Sequence, residues 1–155
     1  VDALSFGGTK NGLALGEAVL FFRQGDGAVQ RRAAARFPFL RKSTGHLLSK
    51  HRFVAAPFEA VLRDGAWLRH ASHANAMAAR LATGLAALGA KPRHPVETNG
   101  VFVRLPDAVD RALRAAGYGY HPFGPPKERT VRLLCSFDTT EDDVDELLAV
   151  ARSAG

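Results

Sequence analysis

Two short, continuously apolar runs lie near the start of the chain. Gly7 and Gly8 follow the first run, and Gly16 precedes the second. The runs cover residues 3–6 and 18–22. Uninterrupted apolar stretches of this length are typical of strands in a sheet that is covered on both faces. The pattern therefore predicts two buried strands, joined by a glycine-rich segment that contains Lys10.

From Gly25 onward the spacing of the apolar residues changes to a helical one. Asp26 can cap a helix that runs through Val29 and the alanines at 33–35 until Pro38 interrupts it. A second helix is predicted over residues 47–62, where apolar residues recur at mixed three- and four-residue spacing. Pro57 is expected to mark a kink or a boundary in that helix.

Beyond Gly65 the pattern predicts a long helix over residues 67–88, ended by Gly89. One face of this helix is traced by Leu68, Ala71, Asn75, Ala78, Leu81, Leu85 and Leu88. Shorter elements follow, namely a strand at 101–105, a helix at 108–116, strands at 118–120 and 130–137, and a final helix. Thr139 and Thr140, with Asp142 and Asp143 three residues on, form a capping-box-like start to that last helix. The fold class is therefore α/β, with a remnant of a large domain at 1–64 and a small α+β domain at 65–155.

Composition narrows the classes of protein without choosing among them. The 155 residues are 46% hydrophobic and 23% charged, which is ordinary for a globular protein. The net charge of +6 raises the possibility of a nucleic-acid-binding module, but the basic residues are scattered through amphipathic segments and form no stripe with aromatics. No apolar stretch is long enough for a membrane helix. We expect a soluble, cytoplasmic protein without nucleic-acid or membrane partners.

The single cysteine, Cys135, excludes an intrachain disulfide and fits a reducing compartment. It lies in an apolar run and is interpreted as a buried hydrophobic residue. His70 and His73 are three residues apart on the predicted long helix, but without a third ligand they make a poor metal site. No metal is predicted.

Lys10 is the strongest candidate for chemistry, because glycines at positions 7, 8 and 12 surround it directly after an apolar strand. A lysine that forms a Schiff base must lose its proton, which a partly buried turn beside a sheet would favour. A solvated loop lysine is the alternative. A phosphate-binding loop is excluded by residue order, because Thr9 precedes Lys10 and Asn11 follows it.

The octet 5–12 and its continuation through residues 16–22 resemble the cofactor-lysine segment of the low-specificity L-threonine aldolases. These belong to the aspartate-aminotransferase-like pyridoxal phosphate enzymes. Further landmarks of the family stand in the same order, at residues 47–50, 69–78, 98–102 and 131–133. The resemblance implies that Lys10 holds pyridoxal 5'-phosphate as a Schiff base and that Thr9 lies near the cofactor phosphate. A turn-stabilising hydrogen bond is an equal reading for Thr9.

Arg132 lies inside a predicted apolar strand, where an unpaired guanidinium is costly. It therefore needs either a carboxylate of the protein or an anionic ligand. The resemblance implies the ligand, with a bidentate contact to the substrate α-carboxylate. Asn99 is a weaker candidate for the substrate pocket, since Asn99-Gly100 also has the sequence of a turn before a strand.

The resemblance implies a retro-aldol cleavage of threonine and related β-hydroxy-α-amino acids to glycine and an aldehyde. It also implies that the partners of the cofactor ring and phosphate belong to an upstream portion missing from this chain, that these 155 residues alone are inactive, and that the enzyme is a homodimer or homotetramer. The general base is not identifiable. A β-eliminating lyase of the same fold would use the same lysine and arginine and remains an alternative, as does the nucleic-acid-binding module.

Overall fold

A computed structural model of the chain describes residues 1–23 and 27–155. They form two compact units, Val1–Trp67 and Leu68–Gly155. Asp26, the predicted helix cap, lies outside the described residues. The assignment of 1–64 and 65–155 to the two domains of a longer enzyme stays a prediction.

Unit 1 begins with a hairpin. Strand β1, Ala3–Gly7, pairs antiparallel with β2, Glu17–Phe21, from Ala3 opposite Phe21 to Gly7 opposite Glu17. Both strands were predicted, but the expectation that both faces are covered is wrong for this chain. Leu4 and Leu20 keep 43% and 41% of their surface exposed, because the helices of unit 1 do not fully cover these side chains.

Two helices follow in unit 1, α1 at Ala28–Ser43 and α2 at Arg52–Arg63. Pro38 and Pro57 lie inside them, so the predicted interruption at Pro38 is wrong, and α2 begins later than the predicted 47–62. A proline removes one backbone donor and strains one turn, which packing can offset. Phe37, directly before Pro38, packs its ring edge-on against Phe21 of β2, with 5.6 Å between ring centroids.

Helix α3, Ala66–Ala87, matches the predicted long helix and runs into unit 2. Its buried residues are Ala74, Met77, Ala78, Leu81, Ala82 and Leu85. Leu68, Ala71 and Asn75, which the sequence pattern placed on the same face as Ala78, Leu81 and Leu85, are exposed. The core of unit 2 therefore covers α3 only from Ala74 onward.

The sheet of unit 2 has three antiparallel strands in the order β3-β5-β4. They are β3 at Gly100–Val103, β4 at His121–Phe123 and β5 at Thr130–Leu134. Helix α4, Asp107–Ala115, precedes β4, and α5, Glu141–Ser153, ends the chain. The strand predicted at 118–120 lies instead at 121–123. Tyr120 is buried, and its hydroxyl donates to the Asp110 carboxylate at 2.8 Å.

The core of unit 2 fills the space between this sheet and its helices. Val101, Val103, Val131 and Leu133 come from the sheet, and Leu85, Leu113 and Leu148 come from the helices. No helix in residues 1–23 or 27–155 combines the length and the apolar character needed to cross a membrane.

A capping box starts α5, as the sequence predicted. The Asp143 backbone N–H donates to Thr140 Oγ1 at 3.1 Å, and the Thr140 backbone N–H donates to the Asp143 carboxylate at 2.7 Å. The backbone N–H and the hydroxyl of Thr140 both donate to the Asp143 carboxylate, and this holds the pKa of Asp143 below its ordinary value. Thr139 has a separate role, because its hydroxyl accepts from the Ser136 backbone N–H.

Replacing Gly84 with alanine should destabilise unit 2. The new Cβ would lie 2.3 Å from Leu148 Cδ1 and 3.0 Å from Leu148 Cγ, and Leu148 is buried among the side chains of the core. We expect the free energy of unfolding of unit 2 to fall by about 1–3 kcal/mol, despite the higher helix propensity of alanine.

Alkylation of Cys135 measures this loss. Cys135, the sole cysteine of the 155 residues, is 4% exposed. Its alkylation rate should rise roughly 5- to 150-fold as unit 2 opens more often.

Gly119→Ala is the matched control, because no atom lies within 4 Å of the added methyl group. An unchanged alkylation rate in Gly84→Ala would show that α3 and α5 do not pack as closely as described.

Candidate functional site

Lys10 lies on a single 3-10 turn, Thr9–Asn11, between β1 and β2. Three hydrogen bonds close the turn: from the Gly8 backbone N–H to Gly16 O at 2.8 Å, from the Asn11 N–H to Gly8 O at 2.9 Å, and from the Leu13 N–H to Gly8 O at 3.1 Å. The Asn11 side-chain amide also donates to Gly7 O. Gly12 ends the turn at a φ of 92°, a conformation that favours glycine. The lysine is therefore held by a fixed backbone.

Gly8 is the buried point of this turn. A Cβ atom there would lie 2.8 Å from Gly16 O, 2.8 Å from Phe58 Cζ and 2.9 Å from Leu13 Cδ2. Phe58 of α2 thus packs directly against the turn, and it also contacts the ring of Phe6 in β1. The lack of a side chain at Gly8 therefore allows close packing between the turn and α2.

Thr9 and Lys10 are both exposed. Within the described residues, no hydrogen bond or ion pair engages the Lys10 amine or the Thr9 hydroxyl. The partial burial that a Schiff-base lysine would need is therefore not provided by this chain, and the turn-stabilising hydrogen bond considered for Thr9 is not formed. Both side chains are available to a ligand.

Arg132 is the central residue of β5, and the strands on its two sides place Phe102 and His121 directly opposite it. It is half-buried, while its neighbours Val131 and Leu133 are buried in the core. Because side chains alternate along a strand, Arg132 points away from the core. The part of the chain that the structure describes contains no ion pair to Arg132, so the carboxylate partner considered as an alternative is not found there.

Asn99 lies just before β3 and has a structural contact. Its side-chain amide donates to Cys135 O at 2.7 Å, and the Cys135 backbone N–H donates to Asn99 O at 2.9 Å. These two bonds extend the ladder between β3 and β5. They tie Asn99 to the strand that carries Arg132, and a direct contact of Asn99 with substrate stays a prediction.

A concave surface lies elsewhere in unit 1, between β2, the C-terminal half of α1 and α2. It is a mainly apolar groove of about 960 Å³. Arg41 is part of its wall, and the Nε atom of Arg41 is buried with no hydrogen-bond partner among the residues described. Lys10 and Thr9 do not line this groove.

The remaining candidates have packing roles. The His70 ring lies 5.0 Å from the Phe137 ring, and a ring nitrogen of His73 is 2.7 Å from Thr139 O. Burial raises the pKa of the Cys135 thiol, which disfavours the reactive thiolate. Across residues 1–23 and 27–155, no three His, Cys, Asp or Glu side chains are grouped as metal ligands.

The outward face around Arg132 contains residues that the sequence pattern did not single out. The rings of Phe102 and Phe123 are in contact, with 4.6 Å between centroids and a tilt of 58°, and His121 lies on the same face. Alternation around Arg132 could have indicated the side on which it lies, but the pairing of β4 with β5 was not predictable from spacing.

Comparison with known proteins shows what the chain resembles. It is 44% identical over 154 residues to the low specificity L-threonine aldolase of Pseudomonas sp. (strain NCIMB 10558), covering 99% of this chain and 42% of that protein. It is 47% identical over 148 residues to the protein of the same name from Pseudomonas aeruginosa, covering 95% of this chain and 40% of that one. No protein-family model matches the chain.

The solved structure of Leishmania major threonine aldolase superposes with a TM-score of 0.83 at 27% identity, over 98% of this chain and 43% of that one. The family resemblance and the α/β fold class that the sequence predicted are thus confirmed. The chain spans about two-fifths of the length of these relatives.

Substituting Gly8 with alanine should disturb the lysine turn, because the added methyl group meets the backbone oxygen of Gly16. We expect unit 1 to lose about 1–3 kcal/mol of its free energy of unfolding. Trp67 is the sole tryptophan and contacts the Phe6 ring edge-on. Urea denaturation followed by Trp67 fluorescence therefore reports on this unit.

Gly7→Ala is the control for this variant, since its methyl group would meet only the exposed Glu17 carboxylate, which can move aside. Equal urea midpoints for the two variants would contradict the described packing of Gly8.

Proposed function

We propose that this chain, a homologue of the low specificity L-threonine aldolases, is the C-terminal part of a pyridoxal phosphate-dependent aldolase. The enzyme would cleave L-threonine and related β-hydroxy-α-amino acids to glycine and an aldehyde. The observation that carries the proposal is the 44% identity over 99% of the chain to an enzyme of that name. In this proposal residues 1–64 belong to the cofactor-binding domain and residues 65–155 form the small C-terminal domain.

The lysine turn fits the cofactor. Lys10 presents an exposed amine on a backbone fixed by three hydrogen bonds, and the Thr9 hydroxyl stands next to it. Lys10 would hold the cofactor aldehyde through that amine, and Thr9 would donate to the phosphate. When bound, pyridoxal phosphate supplies the electron sink that the breaking Cα–Cβ bond requires.

Arg132 would bind the substrate α-carboxylate. Its guanidinium points away from the core, and no acid among the residues described pairs with it. A planar, bidentate contact fixes the orientation of the carboxylate as well as its position. That contact would set the angle of the Cα–Cβ bond before it breaks, which is a contribution of positioning. The proton of the β-hydroxyl must leave with a base that none of the assigned residues supplies.

The rest of the active site would come from an upstream portion of the same polypeptide. The chain matches only about two-fifths of its relatives. Its hairpin exposes Leu4, Val19 and Leu20, and the groove behind it leaves Arg41 Nε unsatisfied. An apolar surface of this kind favours cover by further protein. The proposal includes a homodimeric or homotetrameric assembly in the cytoplasm, and inactivity of these 155 residues alone.

A β-eliminating lyase would use Lys10 and Arg132 in the same way, and its products separate the two activities. Glycine and an aldehyde support the aldolase, whereas a keto acid and ammonia support the lyase. A nucleic-acid-binding module would instead show affinity for DNA or RNA that falls steeply with salt.

Lys10→Ala in the complete enzyme should abolish the visible absorbance of bound cofactor and lower kcat for threonine cleavage by roughly 1,000-fold or more, because the covalent attachment is lost. Lys91→Ala, which changes an exposed lysine of unit 2, serves as the control and should behave as wild type. Retention of the absorbance in Lys10→Ala would overturn the assignment of the cofactor lysine.

Arg132→Lys should raise the KM for L-threonine roughly 10- to 100-fold, because an ammonium group cannot make the two parallel hydrogen bonds of a guanidinium. Steady-state kinetics of glycine formation measure this effect. Arg111→Lys, on the exposed side of α4, is the matched control. A KM within twofold of wild type in Arg132→Lys would remove Arg132 from the substrate site.

A further inference from the structure

His121 lies next to Arg132 on the outward face of the unit 2 sheet. The two residues are directly opposite each other in the β4–β5 ladder. Directly opposite residues point to the same face, with Cβ atoms about 4.5–5.5 Å apart. Pro122, the next residue of β4, is opposite Val131 of the core. Because the alternation is fixed by this core contact, His121 is placed beside Arg132.

Neither side chain is engaged within the protein. Over the described ranges 1–23 and 27–155, no hydrogen bond or ion pair involves the His121 ring or the Arg132 guanidinium. The nearby acids have partners elsewhere, since Glu128 pairs with Arg93 and Asp107 pairs with Arg129. Two adjacent donor groups therefore face outward without an acceptor from these acids.

A carboxylate can satisfy both donors at once. Its two oxygens offer about four lone-pair positions, and a bidentate arginine uses two of them. An imidazole N–H can donate to a third position, and both the neutral and the charged ring carry such an N–H. Arg132 is half-buried on this face, where Phe102 lies directly opposite it and packs against Phe123. Partial removal of a charged donor from water strengthens its hydrogen bond to a carboxylate.

We propose that His121 is a second substrate-binding residue, which donates a hydrogen bond to the same α-carboxylate that Arg132 binds. The proposal rests on the proposed function, because it takes an amino acid as the ligand. Arg132 sets the plane of the carboxylate, and His121 distinguishes a charged acid from a neutral group of the same shape.

The test compares the acid with its amide in the complete, cofactor-loaded enzyme. KM and kcat are measured for L-threonine and for L-threonine amide in wild type, His121→Asn and His94→Asn. His94 is the control because it is exposed near Phe102 on the same unit but has no place opposite Arg132. We expect His121→Asn to raise the KM for threonine roughly 5- to 30-fold. The KM for the amide and both kcat values should stay within about threefold of wild type.

An unchanged KM for threonine in His121→Asn would overturn the proposal, and so would an equal rise for acid and amide. Failure of the proposed function has a different signature, namely that wild type forms no glycine from threonine. In that case calorimetric titration with glycine and with glycinamide decides the role of His121. A selective loss of glycine affinity in His121→Asn supports that role, and equal affinities in wild type and variant exclude it.

Discussion

The hydrogen bond from the Gly8 backbone N–H to Gly16 O determines how Lys10 is presented. It closes the ends of the segment between β1 and β2, and the absence of a Cβ at Gly8 lets Phe58 of α2 pack against it. Hairpin, turn and helix therefore depend on one close contact. A side chain at Gly8 would push the turn away from Gly16 and from Phe58 of α2, and the position of Lys10 would change as a consequence.

In unit 2, strand β5 contributes both to the core and to the candidate substrate site. Val131 and Leu133 of β5 fill the core, and Arg132 between them is turned outward. The strand is central in its sheet, with β3 on one side and β4 on the other. Arg132 therefore has neighbours from two strands. That arrangement places Phe102 and His121 beside Arg132, although Phe102 is distant from it in sequence.

Unit 1 has the opposite character, because much of its apolar surface remains uncovered. A two-stranded sheet with exposed Leu4, Val19 and Leu20 is marginal as an isolated hairpin, so it depends on its packing against α1 and α2. The chain matches only about two-fifths of the length of its relatives. In the proposed function, the remaining part of the enzyme covers the exposed apolar surface of unit 1. The lysine and the arginine would then be contributed by this chain, and the remaining contacts to cofactor and substrate by the other part.

The sequence by itself determined the family resemblance, the order of the elements, the long helix and the capping box at Thr140, because these depend on local spacing and on residue order. It also predicted Lys10 as the cofactor lysine and Arg132 as the residue that binds the substrate carboxylate, and both roles remain proposals. Tertiary structure alone decided that α1 continues through Pro38, since packing of Phe37 on Phe21 can offset a lost hydrogen bond. It also decided that His121 stands opposite Arg132, because the register between β4 and β5 depends on the connection between the strands, which periodicity along the chain does not encode.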